Sequence, residues 1–357
     1  MSAFYPLKVK EIREETEDCK SVVFEIPAEL RESFAFKPGQ YLTLKTTIQG
    51  EEIRRSYSLC AAPYENEWRV AVKKVKNGKF SGYVNQDLKK GDILEVMRPE
   101  GHFTPKNYQE SKKHYLLIAA GSGITPILSI AKSILKESKE SRISLVYGNK
   151  NSGSIIFHEE IEAIKNKYLG RCSVQYILSK ERLEEQILQG RIDAKKLEFM
   201  FKQWIPIQTI DDIFVCGPEE MIHAVREQAN AQGFDEKNIH FELFNSQSIV
   251  DPNLIQQLQE EAGKNCKVTV TVDGKSFDFD LAFGQNNILD AALQEGADLP
   301  YACKGGVCCT CKAKLVQGEV TMLKTYGLMK DEIENGYILS CQAYPKSEEL
   351  VVNFDDF

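Results

Sequence analysis

The sequence predicts a multidomain chain: an antiparallel β-barrel, then an α/β domain built on a parallel sheet, then a smaller α+β module. Three observations predict it. Short strand-like runs alternate with turn signals from Pro6 to about Lys106, apolar runs alternate with helix-length amphipathic stretches from about Ser111, and the last ninety or so residues open on a hairpin pattern and carry four cysteines within nine positions. A chain of 357 residues has room for two or three domains, each with a core of its own.

The barrel is expected over residues 1–110. Its runs "SVVFEI", "YLTLKT" and "WRVAVKKV" are separated by Pro38-Gly39, Asn77-Gly78 and Gly91-Asp92. Residues 111–245 form the α/β domain. There "HYLLIAA", "ISLVYG", "SVQYIL" and "DIFVCG" read as buried parallel strands, with "PILSIAKSILKES" and "PEEMIHAVREQANAQG" as helices between them. Residues 246–265 lack strand alternation and contain Asp251-Pro252, so they read as a linker that is part helical. In residues 266–357, "KVTVTVDGKSFDFDL" alternates on both sides of Asp273-Gly274, a hairpin signal, and "ILDAALQEG" is a short helix ending near Gly296.

Composition narrows the class. Hydrophobic content of 42% and charged content of 27% describe an ordinary globular protein. The start MSAFYPLKVKEIREE has no apolar core of a signal peptide, so a cytoplasmic chain with reduced thiols is expected despite ten cysteines. The longest uncharged run, Tyr115 to Ala131, is too short for a membrane span and is broken by Gly121, Gly123 and Pro126. A net charge of −7 argues against a nucleic-acid partner. Residues 267–357 carry fourteen acidic against eight basic side chains, which suits docking to a basic patch on a partner and equally suits a merely solvated surface.

The cysteines carry the most specific chemistry. Cys303, Cys308 and Cys311 fall as C-x4-C-x2-C, and Cys341 follows thirty residues later. That is the plant-type spacing for a two-iron, two-sulfur cluster. Gly305 and Gly306 let backbone N–H groups approach sulfide closely. A structural zinc would more often use two C-x2-C knuckles, and only Cys308 and Cys311 make one. Cys309 is a spare small residue on this reading.

A cluster takes single electrons and must be loaded by something. Two further stretches supply candidates. "RRSYSLC", residues 54–60, offers a cation, an aromatic face and a hydroxyl along an extended segment, which suits a flavin with its pyrophosphate: Arg55 for the phosphate, Tyr57 for the ring, Ser58 for the reactive edge. The "GKFS" turn, Gly78 to Ser81, can add N–H groups and a hydroxyl. "IAAGSGITPILSI", residues 118–130, runs a buried strand into Gly-Ser-Gly, with Thr125 expected as N-cap and Pro126 as the first helical residue. This is a phosphate site or an ordinary tight βα connection.

Together the segments "FKPGQYLTL", "RRSYSLC", "VAVKKVKNGKFSGYVN", "LKKGDILEVMRPEGHF", "AAGSGITP", "YGNK", "CGPEEMI", "FELF" and the cysteine set resemble one family over essentially the whole chain. It is that of ferredoxin-NADP reductase-type oxidoreductases with a C-terminal plant-type 2Fe-2S ferredoxin domain of β-grasp fold. The resemblance implies FAD at Arg55, Ser56, Tyr57, Ser58, Lys73, Gly78, Phe80 and Ser81. It implies nicotinamide dinucleotide at Gly121, Gly123, Thr125 and the Cys216-Gly217-Pro218 turn, with Glu242 and Phe244 approaching the flavin. A related group shares the domain order but uses FMN; "GKFS" resembles the FAD-type turn. Ser58, Cys216 and Glu242 are the expected catalytic set, although Cys216 also reads as a small residue in a strand-end turn. The implied activity is electron transfer from NAD(P)H, a hydride donor, through FAD to the cluster and on to an oxygenase component. NADPH is expected over NADH: Asn149, Lys150, Ser179 and Lys180 stand at two strand ends that in this family border the adenosine 2′ position, and no carboxylate ends "LVYGNK". Both lysines stand where close relatives often carry Arg, and both also read as simple surface residues.

Overall fold

The computed structural model describes residues 4–110, 112–244, 252–260 and 263–356. Residues 4–243 form one compact unit, and the chain from 244 onward belongs to a second.

The first unit begins with strands β1 (Tyr5–Thr16), β2 (Cys19–Glu25), β3 (Tyr41–Ile48), β4 (Glu51–Ser58), β5 (Trp68–Lys73) and β6 (Ile93–Val96), with helix α1 (Lys79–Gln86) between the last two. They make one six-stranded sheet in the order β4-β3-β6-β1-β2-β5. Every pairing in it is antiparallel. A bridge between Leu59 and Val70 joins the two edge strands and closes the barrel. Alternation decides which side chains face inward: Leu7 and Val9, Val22 and Phe24, Leu42 and Leu44, Val70 and Val72, Leu94 and Val96 all fill the interior.

The same unit continues into β7 (His114–Ala120), α2 (Ile124–Glu137), β8 (Arg142–Asn149), α3 (His158–Lys167), β9 (Cys172–Leu178), α4 (Ala194–Gln203), β10 (Asp212–Cys216), α5 (Glu219–Ala231) and β11 (Ile239–Glu242). The five strands form a parallel sheet in the order β11-β10-β7-β8-β9. Buried on both faces, β7 and β10 read as unbroken apolar runs, as parallel strands do. The order reverses between β7 and β10. That places a crevice beyond their carboxyl ends, where open α/β sheets bind ligands.

The second unit contains α6 (Pro252–Glu260), β12 (Asn265–Val272), β13 (Lys275–Ala282), α7 (Ile288–Gln294), β14 (Lys312–Gln317), β15 (Val320–Met322), α8 (Lys330–Glu334), β16 (Tyr337–Leu339), β17 (Ala343–Pro345) and β18 (Glu349–Asn353). The expected linker is thus a helix over residues 252–260; its residues 246–251 and 261–262 lie outside the described residues. Five strands form a mixed sheet, β13-β12-β18-β14-β16, and β15 pairs with β17. The β12–β13 hairpin turns on Asp273 and Gly274, at φ 54° and 68°, the geometry for which Asp-Gly is selected. Apolar faces of α7 and the sheet enclose one core that reaches Cys311 and Cys341.

Candidate functional site

On the barrel, the end of β4 lies beside the start of α1. The rings of Tyr57 and Phe80 stand 5.7 Å apart at 34°. Burial drives the Tyr57 phenol well above its ordinary pKa, with the Arg55 charge pulling the other way. The Ser56 hydroxyl lies 3.1 Å from that of Thr43. Arg55 is exposed and donates to the Arg54 carbonyl at 2.7 Å, and among the described residues it forms no ion pair. Lys73 lies 3.5 Å from Asp18. The expected Gly78–Ser81 turn is instead the first turn of α1. Gly78 is its N-cap, with no side-chain cap bond. A Cβ on Gly78 would fall 2.4 Å from both Ser81 Oγ and Val75 Cγ2, so a larger residue there would force those side chains to move. The Ser81 hydroxyl is occupied locally, accepting from Val75 N–H at 3.2 Å and donating to Gly78 O at 3.3 Å. The first N–H groups of α1 have no side-chain cap and could hold an anion, whereas the Ser81 hydroxyl already has partners. An aromatic wall, an exposed cation and an open helix start fit a flat ring carrying a pyrophosphate.

Across the crevice, the Gly-Ser-Gly turn after β7 and the Cys-Gly-Pro turn after β10 are pressed together. Gly121 sits at φ 54°. A Cβ on Gly123 would lie 2.1 Å from the Cys216 carbonyl oxygen. This close approach corrects one expectation: the chain enters helix earlier than its sequence implies, with Gly123 as N-cap of α2. Thr125 lies inside the first turn, where its hydroxyl donates to Ser122 O at 3.0 Å, and Pro126 is the third helical residue. The ends of β8 and β9 come together as expected: Ser179 N–H donates to Asn149 O at 2.9 Å, and Lys180 N–H to Lys150 O at 2.7 Å. Asn149 is 8% exposed; its side chain lies beside the Tyr147 phenol, and among the described residues neither its amide nitrogen nor its oxygen has a hydrogen bond of normal geometry. Such a group is costly to bury unless something satisfies it. Lys150 and Lys180 are exposed, and the nearby Glu181 carboxylate is taken up by the N–H and hydroxyl of Ser152, at 2.7 and 3.0 Å.

The two sides meet at a carboxyl group. Ser58 Oγ donates to Glu242 Oε2 at 3.1 Å, joining the last residue of β4 to the last residue of β11. Burial pushes the Glu242 carboxyl up to about 8, against the pull of the Ser58 hydroxyl. Cys216 is directly opposite Glu242 in the parallel register. It is fully buried, and burial, then the Glu242 charge, raise its thiol far above the ordinary range. Burial thus favours the neutral form of both groups. Phe244 is exposed at the start of the second unit.

In the second unit the four expected cysteines come as two pairs. Cys308 Sγ lies 3.1 Å from Cys303 Sγ. That bond lowers the Cys303 thiol and raises that of Cys308. The Cys311–Cys341 bond likewise lowers Cys341 and raises Cys311. Backbone N–H groups of Gly305 and Cys308 point at Cys303 Sγ, at 3.3 and 3.5 Å. Gly306, at φ 73°, lets the loop fold against Gln342 and Lys324, which a Cβ would meet at 2.9 Å. Among the described residues no three His, Cys, Asp or Glu side chains are arranged to hold a single metal ion. Two sulfur pairs fit two irons, with amide N–H groups left to stabilise the sulfurs, better than they fit one tetrahedral zinc.

This arrangement defines a flavin and iron–sulfur oxidoreductase. Residues 6–104 match the oxidoreductase FAD-binding domain, 117–227 the oxidoreductase NAD-binding domain, and 270–346 the 2Fe-2S iron-sulfur cluster binding domain. The chain belongs to the family of reductases that join these three domains in this order, in which it is 42% identical over 355 residues to a subunit of 1,2-phenylacetyl-CoA epoxidase from Escherichia coli (strain K12), covering 99% of both chains. It is 34% identical to the ferredoxin reductase component of 3-ketosteroid-9-alpha-monooxygenase from Rhodococcus rhodochrous, over 98% of this chain and 96% of that one. Phthalate dioxygenase reductase shares the fold, with a TM-score of 0.61 at 24% identity, over 98% of each chain.

Sequence reading missed the groups that tie the barrel to the parallel sheet: Glu65, Arg69, Ser129, Lys132 and Glu160. One signal was present. Lys132 interrupts the apolar stretch "PILSIAKSILKES" of α2, where a lysine is out of place unless paired.

Proposed function

We propose that this chain is an NAD(P)H-dependent reductase that passes electrons through FAD and a 2Fe-2S cluster to an oxygenase component. The Ser58–Glu242 contact carries the reading, because it joins the flavin-side strand to the nucleotide sheet where the Gly-Ser-Gly and Cys-Gly-Pro turns converge. FAD, when bound, supplies the conversion between a two-electron hydride and the single electrons that a cluster accepts. Tyr57 and Phe80 orient the ring, and Ser56 braces the strand that carries Tyr57. Arg55 and the start of α1 hold the pyrophosphate, with Lys73 adding charge and Gly78 and Ser81 shaping the turn. Gly121, Gly123, Thr125 and the Cys216-Gly217-Pro218 turn seat the dinucleotide. Glu242 accepts the Ser58 hydroxyl and so fixes that serine at the ring edge, and the buried Cys216 keeps the contact dry. Cys303, Cys308, Cys311 and Cys341 hold the irons.

NADPH is the preferred donor on this reading, with NADH also accepted. Two exposed lysines with Asn149 and Ser179 beside them suit a 2′-phosphate, and Glu181, held by Ser152, dilutes their charge. The full-length similarity to the Escherichia coli epoxidase component supports the phenylacetyl-CoA epoxidase complex of aerobic phenylacetate degradation as acceptor. The similarity to the ketosteroid monooxygenase component supports the same chemistry serving another acceptor, such as a Rieske or alkyl-chain oxygenase. The acceptor docks near the acidic C-terminal module, in the cytoplasm. Among the described residues no helix is long and apolar enough to cross a membrane. A redox sensor without reductase activity would have no use for paired flavin and nucleotide sites.

Anaerobic addition of NADPH to the purified holoprotein tests the reading. Flavin absorbance should bleach, cluster absorbance should follow, and the reduced protein should support turnover by the phenylacetyl-CoA epoxidase oxygenase component. Turnover with another oxygenase alone selects the alternative acceptor, and no bleaching with either nicotinamide sinks the reductase reading.

A further inference from the structure

We propose that Ser129, Lys132 and Glu160 are positioning residues that hold the nucleotide-binding sheet in register over the flavin-binding barrel; this rests on the reductase reading above. Hydride transfer requires the reacting atoms within about 3–3.5 Å, and a misplacement of about 1 Å can cost on the order of 100-fold in rate. An interface between two domains of one chain is by default a sliding joint unless something fixes its register.

The joint here is fixed at two points, both on α2, the helix that follows the Gly-Ser-Gly turn. Ser129 Oγ donates to the Ala61 carbonyl at 2.6 Å, with both partners fully buried. Ala61 follows Ser58 by three residues, and Ser129 follows Thr125 by four, one helical turn along α2. Displacement at this bond would move the serine at the flavin edge against the turn that seats the nucleotide.

The second point lies nearly one turn further along α2. Lys132, 5% exposed, donates to both carboxylate oxygens of Glu65 at 2.9 Å and pairs with Glu160. Glu160, from α3, accepts both bonds from Arg69 Nη2, at 2.9 and 2.8 Å. Arg69, on β5, lies over the Phe157 ring at 5.1 Å and is flanked by Glu67 at 3.1 Å and Glu15 at 3.9 Å. Glu65 is held in turn, its carboxylate accepting the Ala62 N–H at 2.7 Å. Carboxylates from barrel and sheet thus clasp one lysine, while a barrel arginine clasps the sheet's glutamate. The cations are buried and the two carboxylates partly exposed; such pairs add little net stability over an apolar joint and instead favour one geometry. An apolar contact tolerates slippage. This one does not.

Stopped-flow measurements on the full-length holoprotein with Ser129→Ala, Lys132→Met, Glu160→Gln and Lys132→Arg test it. The first three should reduce flavin about 10- to 100-fold more slowly at saturating NADPH. Their Kd for NADP+ and their FAD content should be unchanged, and the long-wavelength charge-transfer band of reduced flavin with NADP+ should be weakened. Lys132→Arg should restore most of the band. Ser129→Ala removes one oxygen and keeps the fold accessible if the charge variants do not purify. Wild-type rates and charge-transfer bands in folded variants, or equal loss of nucleotide affinity and rate, would overturn the positioning role. If the wild type itself is not reduced by either nicotinamide, the reductase reading falls and takes this one with it.

Discussion

Replacing Glu242 with Gln should remove a pH dependence of stability that the wild type carries. The Glu242 carboxyl is raised from 4.5 to about 8 in the folded protein, with burial the first cause. A group whose folded pKa is raised binds its proton more tightly folded than unfolded, so stability falls as pH rises from the unfolded pKa to the folded one. Between about pH 6 and about pH 8 the unfolded chain has lost this proton and the folded one has largely kept it, giving a slope near 1.4 kcal/mol per pH unit and a loss of roughly 2 kcal/mol across the window. For a unit of this size, 1 kcal/mol moves Tm by about 2–4 °C, so the wild type should lose roughly 4–8 °C between those pH values through this group alone. The substituted glutamine cannot ionise, keeps an acceptor for the Ser58 hydroxyl and matches the volume. Scanning calorimetry of wild type and Glu242→Gln across that range is the assay, reading the transition of the flavin and nucleotide unit. The variant's Tm should fall less with pH, and the two curves should draw together toward acid and meet only near the unfolded value of 4.5, where the wild-type carboxyl is protonated in both states. Parallel curves would refute the account, because Glu242 would then ionise in the folded protein as easily as in water.

The other predictions concern the cofactor sites. Cys303→Ser, Cys308→Ser, Cys311→Ser or Cys341→Ser should each abolish cluster absorbance and cytochrome c reduction while NADPH-driven ferricyanide reduction persists, whereas Cys309→Ser keeps the cluster; equal loss of both activities would break the modular picture. Arg55→Ala should weaken FAD retention by on the order of 1.5–3 kcal/mol, the range of a charge-assisted hydrogen bond, and full occupancy after dialysis would contradict the placement. Lys150→Ala and Lys180→Ala should lower kcat/KM for NADPH and leave that for NADH unchanged; a wild-type preference for NADH that survives both substitutions would show that neither reads a phosphate.

Legibility in the sequence followed the range of the interaction. The Cys303, Cys308 and Cys311 spacing, the Asp273-Gly274 hairpin and the Gly-Ser-Gly turn are short-range devices, in which a few consecutive residues meet a steric or ligand requirement by themselves, so the chain alone determined them. The start of α2 shows where that ends. Read locally, Thr125 caps the helix; in the fold, Gly123 lies against the Cys216 carbonyl, a contact between two turns more than ninety residues apart, and the helix begins sooner. Residue types around the Ser58–Glu242 contact were readable, since "RRSYS", "CGP" and "FELF" each carry their own pattern. Their meeting was not: Ser58 and Glu242 are 184 positions apart, and only the closing of the barrel and the order of the parallel sheet put them 3.1 Å from each other. The raised Glu242 pKa comes from the same source, because desolvation belongs to the packing around a group and not to its neighbours in sequence. Lys132 is the intermediate case. Its oddity on an apolar helix was visible, but its partners Glu65 and Glu160 lie on different elements, and a buried charge tells nothing until the structure shows what neutralises it.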